Sequence, residues 1–294
     1  MGDYNGIGPE IITKALYRMR PPREKILVIG SKRFLPADFA YEVEETPAGE
    51  ADFGKETAAG GEFSYKCIKT ACEKAKAGKA LAIVTAPVSK NALHLAGYDF
   101  SGQTEILEKE LAQKGQKAEM LFVSGDFRVM LLTRHVALKD VKITKELIVE
   151  KIRRLESVLK QRFKIQAPKI ALCSLNPHAG ENGILGNEEI SEFEPALREL
   201  KNIDITKPMP ADTLFIKAAE AIKNNTSQPF DCYVACYHDQ GLIPMKVLAS
   251  KSAVNMTIGL DILRTSPAHG TAYDIVAKNC ADPSSLMAAI EILL

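Results

Sequence analysis

The sequence predicts an α/β protein with a mostly parallel sheet, because short apolar runs alternate with longer amphipathic stretches. Five apolar runs are typical of buried strands, at residues 26–30, 80–86, 129–133, 170–175 and 231–236. Residues 144–163 predict the clearest helix, since their apolar side chains form one stripe and Thr144 is a suitable N-cap. Residues 10–19 and 211–224 predict two further helices.

Composition excludes several classes of protein. The 294 residues carry 38 basic and 37 acidic side chains, so no one-signed field favours nucleic acid or a membrane surface as partner. The chain has no apolar run that would span a bilayer and no signal peptide at its start, so we expect a cytoplasmic protein. None of the six cysteines forms a Cys-x-x-Cys pair, which favours buried reduced thiols over a zinc–cysteine site.

Three histidines follow predicted strands, and they are His135, His178 and His238. A lone loop histidine is usually a hydrogen-bonding residue, but this placement is repeated three times. The ends of parallel strands meet at one edge of a sheet, so three imidazoles could bind one metal ion. Such a ligand set suits Zn²⁺ and leaves a coordination position open for a substrate.

Cationic and polar side chains follow the third histidine, in segments that are otherwise apolar. Lys246 and Arg264 flank Asn255 in this part of the chain. A solvated surface pair is the simple alternative, but the apolar setting favours an anionic ligand. Arginine binds phosphate or carboxylate through two parallel hydrogen bonds, whereas lysine acts as a point charge.

The segment Ser266-Pro-Ala-His-Gly-Thr-Ala-Tyr-Asp resembles the adenosine-binding loop of the isopropylmalate and isocitrate dehydrogenases. Those enzymes bind NAD without a Gly-x-Gly-x-x-Gly motif, which this chain also lacks. The resemblance implies NAD contacts by His269, Gly270 and Asp274. A carboxylate facing the ribose hydroxyls would repel the extra phosphate of NADP.

Two further polar turns precede helical stretches. They are Gly2-Asp-Tyr-Asn-Gly-Ile-Gly-Pro-Glu and Gly102-Gln-Thr-Glu, the second of which follows Thr85-Ala-Pro-Val-Ser-Lys. Glycine-rich turns ahead of helices offer backbone N–H groups to anions, although many such turns only redirect the chain.

Together these segments resemble the 4-hydroxythreonine-4-phosphate dehydrogenase family of vitamin B6 biosynthesis. The other matching segments are Asn176-Pro-His-Ala-Gly-Glu, Tyr237-His-Asp-Gln-Gly and Val254-Asn-Met-Thr-Ile-Gly-Leu, in family order across nearly the whole chain. The resemblance implies a three-layer α/β/α fold like that of isocitrate and isopropylmalate dehydrogenases, with two lobes. Residues 1–102 and 253–294 would carry the NAD loop, and residues 103–252 the metal ligands and dimer contacts.

The resemblance also implies the reaction and the residues that perform it. The C3 alcohol of 4-phosphohydroxy-L-threonine is oxidised by NAD, and loss of CO₂ then yields 3-amino-2-oxopropyl phosphate. The implied metal is zinc, with magnesium, manganese and cobalt as alternatives, and the implied assembly is a homodimer with shared active sites. Asp239 and Lys246 are candidates for proton transfer by their position in the chain. The implied substrate contacts are Gln103, Thr104, Lys246, Asn255 and Arg264.

The chain departs from the family pattern at two places. Gln103 stands where the family usually has histidine, and an amide cannot titrate near neutral pH. The family also normally has a strand ahead of the first glycine-rich turn, so we expect a segment upstream of residue 1. Because of Gln103, a sibling dehydrogenase of 4-phosphothreonate or 4-phosphoerythronate is the main alternative function. A phosphate acyltransferase and a non-enzymatic binding protein are distant alternatives.

Overall fold

The computed structural model describes residues 1–294 and forms two compact units. The first unit contains Met1–Glu119 and Lys251–Leu294, and the second contains Met120–Ser250. The sequence-based division placed residues 103–119 with the second lobe, whereas here they belong to the first unit. Both units combine helices with strands, and the α/β prediction is confirmed.

The first unit contains a two-stranded and a three-stranded set of strands. Strand β1 pairs in parallel with β2, and β3 pairs in parallel with β9, which in turn pairs antiparallel with β8. The strands are β1 Leu27–Gly30, β2 Glu42–Glu45, β3 Ala82–Val84, β8 Val254–Ile258 and β9 Leu263–Pro267. The helices are α1 Gly8–Met19, α2 Ala58–Lys76, α3 Lys90–Leu95, α4 Gln103–Leu111 and α9 Ser284–Glu291.

The second unit contains four strands in the order β4-β5-β7-β6. Strands β5, β7 and β6 are parallel neighbours, while β4 and β5 form an antiparallel pair. The strands are β4 Glu119–Ser124, β5 Phe127–Leu131, β6 Ile170–Leu172 and β7 Cys232–Ala235. The helices are α5 Lys145–Gln161, α6 Glu194–Glu199, α7 Ala211–Lys223 and α8 His238–Ala249.

Each predicted element is present; four strands are shorter than predicted, and β5 lies two residues earlier than the predicted run at 129–133. Helix α5 begins after Thr144, whose hydroxyl accepts a hydrogen bond from Leu147 N at 3.2 Å, as expected of an N-cap. Its apolar stripe is buried, including Ile148, Ile152 and Leu155. The strand predictions did not include β2, β4, β8 or β9.

The cysteines meet the expectation of buried thiols at five of six positions. Five cysteines are buried and free, but Cys280 is exposed, so the expectation of buried thiols is wrong at that position. No helix combines the length and the apolar character that crossing a membrane would require.

An apolar groove of about 670 Å³ lies between the unpaired edges of β1 and β3. At one end of this groove the Met1 amino group donates to the Ile29 carbonyl at 2.8 Å, and Asp3 N donates to the Pro87 carbonyl at 3.0 Å. Residues 1–3 therefore connect the two strand edges. The expectation of a further strand ahead of this turn stays a prediction.

Candidate active site

The first unit buries Arg264 almost completely, with 2% of the residue exposed. Strand β9 carries it between β3 and β8, where its guanidinium meets three neutral side chains. Nε and Nη2 donate to Thr85 Oγ1 at 2.9 and 2.6 Å, and Nη1 donates to Thr257 Oγ1 at 3.3 Å. Nη2 also donates to Gln103 Oε1 at 2.9 Å. We call these four residues the Arg264 cluster.

No carboxylate balances the charge of Arg264. All its side-chain hydrogen-bond partners are neutral, and Cys72 is the one titratable group that perturbs it electrostatically. Burial lowers the pKa of Arg264 to about 9, so the guanidinium is still cationic at neutral pH. A buried charge without a counterion costs several kcal/mol, and an anionic ligand would offset that cost.

Gln103 is fixed by two contacts at the start of α4. Its carbonyl oxygen accepts from Arg264, and its Nε2 donates to the Ala86 carbonyl at 3.2 Å. The amide is therefore oriented with its acceptor toward the guanidinium. The next residue, Thr104, is buried in the same turn of helix.

Asn255 shares a sheet face with the Arg264 cluster. Thr257 pairs with Arg264 across β8 and β9, and Asn255 lies two residues from Thr257, so both side chains point to one face. The Oδ1 atom of Asn255 is buried without a hydrogen-bond partner. An unsatisfied buried acceptor beside a buried cation is suited to a polar anionic ligand that also carries a donor.

The predicted NAD loop projects from the first unit and exposes the residues assigned to the cofactor. His269, Gly270 and Asp274 are all exposed, and a Cβ atom on Gly270 would meet nothing within 4 Å. The first glycine-rich turn holds this loop in place, because Tyr273 donates to Asp3 Oδ2 at 2.6 Å and Ile7 N donates to the Thr271 carbonyl at 3.0 Å. These features fit a loop that receives a large ligand on its outer side.

The first glycine-rich turn supports this loop, and three of its N–H groups are already used within the chain. The N–H groups of Asn5, Gly6 and Ile7 already donate to Asp3 and Thr271. A Cβ atom on Gly6 would lie 2.9 Å from the Thr271 carbonyl oxygen, so only glycine permits this close approach. Burial is the main cause that raises the pKa values of Asp3 and Tyr273.

The second unit brings two of the three predicted metal ligands together. The ring centroids of His135 and His238 lie 5.7 Å apart. Nδ1 of His238 lies 2.7 Å from Asp239 Oδ1, which favours the tautomer with its proton on Nδ1. Nε2 of His238 is then a free acceptor, as in metal-binding histidines whose other ring nitrogen is held by a carboxylate.

His178 lies on a separate turn, at residues 177–183, and its side chain is exposed. The structure contains no group of three or more His, Cys, Asp or Glu side chains arranged to hold a metal ion. The donor chemistry and the His135–His238 spacing fit a metal, whereas a complete set of ligands is not formed in the single chain.

The two candidates for proton transfer both lie on α8, in the second unit. Asp239 is exposed and contacts His238, which gives it an orienting contact. Lys246 is exposed two turns further along the helix.

Several residues of these sites escaped the sequence analysis. Asp3 lies in the first glycine-rich turn and Tyr273 in the predicted NAD loop, but their separation of 270 positions gave no indication of a contact. Thr85 and Thr257 likewise reach Arg264 only through the pairing of β3, β8 and β9. Local sequence carries no signal for such contacts.

Comparison with known proteins identifies the family. The model of the family described as pyridoxal phosphate biosynthetic protein PdxA matches residues 12–293. The chain belongs to this family.

Individual relatives of this PdxA-family chain agree with that assignment. A 4-hydroxythreonine-4-phosphate dehydrogenase of a Sulfurihydrogenibium species is 37% identical, over 100% of this chain and 96% of the relative. A D-threonate 4-phosphate dehydrogenase of Cupriavidus necator is also 37% identical, over 99% and 93%. The crystal structure of a 4-hydroxythreonine-4-phosphate dehydrogenase from Klebsiella pneumoniae matches with a TM-score of 0.83 at 33% identity, covering 99% and 96%.

A more distant likeness concerns the fold alone. An isocitrate dehydrogenase from Methylococcus capsulatus is 13% identical, with a TM-score of 0.53 over 99% of this chain and 83% of that one. The expected isocitrate dehydrogenase-like fold class is confirmed.

Proposed function

We propose that this protein catalyses the NAD-dependent oxidation and decarboxylation of 4-phosphohydroxy-L-threonine to 3-amino-2-oxopropyl phosphate, for pyridoxal phosphate biosynthesis. Membership of the PdxA family and the names of its relatives support the reaction class. The single observation that carries the proposal is Arg264, a buried cation that has only neutral partners. An anionic substrate would supply the missing counter-charge.

The Arg264 cluster would bind the substrate's negative groups. Thr85, Thr257 and Gln103 hold the guanidinium in one plane, so its orientation is fixed before a ligand arrives. Thr104 and Asn255 line the same region by sequence position and sheet face, and Asn255 Oδ1 would accept from a hydroxyl or ammonium group. This preorganisation lowers the entropic cost of binding.

NAD would bind at the exposed loop and accept the hydride removed from the C3 alcohol. His269 and Gly270 would approach the adenosine, and Asp274 would accept hydrogen bonds from the ribose hydroxyls. The contacts of Tyr273 and Thr271 with the glycine-rich turn keep this loop in place.

His135, His178 and His238 would hold a divalent cation, which we propose to be zinc. When bound, such a cation lowers the pKa of a hydroxyl and stabilises negative charge on oxygen. Asp239 fixes the ring of His238, so we assign it an orienting role. Lys246 would then be the group that carries a proton.

The second candidate function is the oxidation of 4-phosphothreonate or 4-phosphoerythronate. Gln103 favours it, because an amide fixed between Arg264 and Ala86 offers no titratable group to the substrate. Relatives named D-threonate 4-phosphate dehydrogenase support the same class. Family membership and the relatives' names give no support to a phosphate acyltransferase or a binding protein.

Substrate kinetics would test the proposal. The purified protein is supplied with 4-phosphohydroxy-L-threonine, 4-phosphothreonate or 4-phosphoerythronate, and NADH formation is followed with and without a chelator. We expect metal-dependent NADH formation and the highest kcat/KM with 4-phosphohydroxy-L-threonine. A higher kcat/KM with either sugar acid phosphate would favour the second function, and no NADH with any of them would overturn both.

We also propose that the protein works as a homodimer. Several large apolar side chains of the second unit are exposed, including Leu138, Ile184 and Val247, at 68%, 79% and 76%. Exposed apolar side chains mark a protein interface where they form one patch, and we propose that these side chains do so. Ile184 follows the turn that carries His178, so a partner subunit would cover the neighbourhood of one proposed metal ligand.

A further inference from the structure

The turn that carries His178 has an unusual backbone. Six consecutive residues have positive φ angles: 51° at His178, 54° at Ala179, 79° at Gly180, 45° at Glu181, 55° at Asn182 and 93° at Gly183. A left-handed conformation costs an L-residue other than glycine about 1–2 kcal/mol, and Gly180 and Gly183 are exempt. The turn therefore depends on contacts from outside it.

Glu189 supplies those contacts at the base of the turn. Its side chain is buried, with 6% of the residue exposed, and it lies at the start of a π-helical turn, Glu189–Phe193. Oε1 accepts from Leu175 N and Asn176 N, each at 2.9 Å, and Oε2 accepts from Asn176 Nδ2, also at 2.9 Å. The carboxylate thus binds the two residues that lead into the turn.

The turn also closes onto this carboxylate from its other side. A Cβ atom on Gly180 would lie 2.8 Å from Glu189 Oε2, so the backbone at Gly180 packs directly against it. Glu189 therefore contacts the chain both before and after His178. Its three hydrogen-bond donors are all neutral N–H groups of Leu175 and Asn176, so the carboxylate stabilises the turn.

We propose that Glu189 is a positioning residue for the active site, which fixes the direction in which His178 presents its imidazole to the metal. This inference rests on the proposed function, in which His178 is a metal ligand. Outer groups that orient metal ligands typically change metal affinity by tenfold to a hundredfold when they are removed.

The test compares Glu189→Gln with a control that loses a charge on an adjacent helix. Glutamine keeps one acceptor but turns an amide N–H₂ toward Asn176 Nδ2, so two donors face each other. Glu194→Gln is the control, because Glu194 is exposed and pairs only with Arg198 at 3.5 Å. Cobalt(II) is titrated into each full-length protein, and affinity and ligand-field absorption bands are recorded with the melting temperature.

We expect Glu189→Gln to weaken cobalt binding about tenfold to a hundredfold and to alter the absorption bands, with a small change in melting temperature. Proteolytic cleavage within residues 177–186 should become faster. Glu194→Gln should behave like the wild type. Should Glu189→Gln fail to fold, Asn176→Ala is the second variant. It removes the contact to Glu189 Oε2 and a bond to Glu188 Oε2 at 2.7 Å, keeps both backbone bonds to Oε1, and is expected to show the same changes.

Two different outcomes would count against the proposal, and they are distinguishable. Wild-type cobalt affinity and bands in a folded Glu189→Gln protein would overturn the role of Glu189 and leave the metal site standing. A wild-type protein whose cobalt binding is absent, or unchanged by His178→Ala, would overturn the metal assignment and the positioning role together.

Discussion

Replacing Arg264 by methionine should separate substrate binding from folding. Methionine has a similar length and no charge, so it fills most of the same space between β3 and β8. Arg264 is fully buried and has no counter-charge, so its removal relieves an unpaired buried cation. In other proteins, well-packed apolar replacements of buried charges are often neutral or stabilising by about 1–4 kcal/mol.

We therefore expect Arg264→Met to keep or raise the stability of the fold and to lower kcat/KM. Loss of the four hydrogen bonds to Thr85, Thr257 and Gln103 offsets part of the gain, so we expect a stability change between zero and about +2 kcal/mol. For a chain of this size each kcal/mol moves the melting temperature by about 2–4 °C. Loss of a charged hydrogen bond to substrate costs about 1.5–3 kcal/mol, or roughly a tenfold to hundredfold fall in kcat/KM.

Arg128→Met is the matched control. Arg128 is half-buried, and its guanidinium donates to the Asp126 and Asp231 backbone carbonyls and lies 4.5 Å from the Phe163 ring centroid. These are structural contacts, so its replacement should lower the melting temperature and leave kcat/KM near normal. The reasoning on Arg264 would be refuted if Arg264→Met lowered the melting temperature by more than about 10 °C while kcat/KM stayed within about threefold of the wild type.

Three further predictions follow from the same sites. Asp274→Ala should raise KM for NAD, reduce the preference for NAD over NADP and leave the affinity for cobalt unchanged. Equal kcat/KM with NAD and NADP in the wild type would contradict the assignment of Asp274 to the ribose. Because burial lowers the pKa of Arg264 to about 9, inorganic phosphate should bind less tightly above about pH 9, as the guanidinium loses its proton. The contribution of Arg264 to the free energy of unfolding should rise over the same pH range, since Arg264 keeps its proton to higher pH in the unfolded state than in the folded state. A phosphate affinity that stays constant from pH 7 to 10 in calorimetry would contradict the predicted loss of phosphate binding. Val247→Glu should shift the protein from dimer to monomer in light scattering, and an unchanged mass would remove that surface from the interface.

Apolar patterning predicted the helices and strands that bury a continuous stripe or run. Helix α5 and strands β5 and β7 are such elements, because burial alone determines their pattern. Strands β8 and β9 were not predicted as strands, since the prediction relied on continuous apolar runs and polar residues such as Asn255, Thr257 and Arg264 interrupt these two segments. The alternation of apolar and polar residues in β8 is a strand pattern that the prediction did not use.

The sequence also indicated which residues matter without indicating their surroundings. Arg264 was expected to contact an anion, which stays a prediction, and the structure adds that its guanidinium is fully buried with no counter-charge. The glycine-rich turn was interpreted as a possible anion site, but the N–H groups of Asn5 and Gly6 donate to Asp3 and that of Ile7 to the Thr271 carbonyl. Contacts between residues so far apart in the chain depend on the tertiary fold, so no local pattern predicts them.

At the left-handed turn of residues 178–183, an unstrained backbone and an ordered His178 side chain favour different residues. Glycine at position 179 would accept the observed φ of 54° without strain, so selection for heat resistance favours its appearance there. Glycine would also widen the range of conformations open to the neighbouring imidazole. Replacing Ala179 by glycine would therefore relieve strain in the turn and loosen the side chain of His178 at the same time.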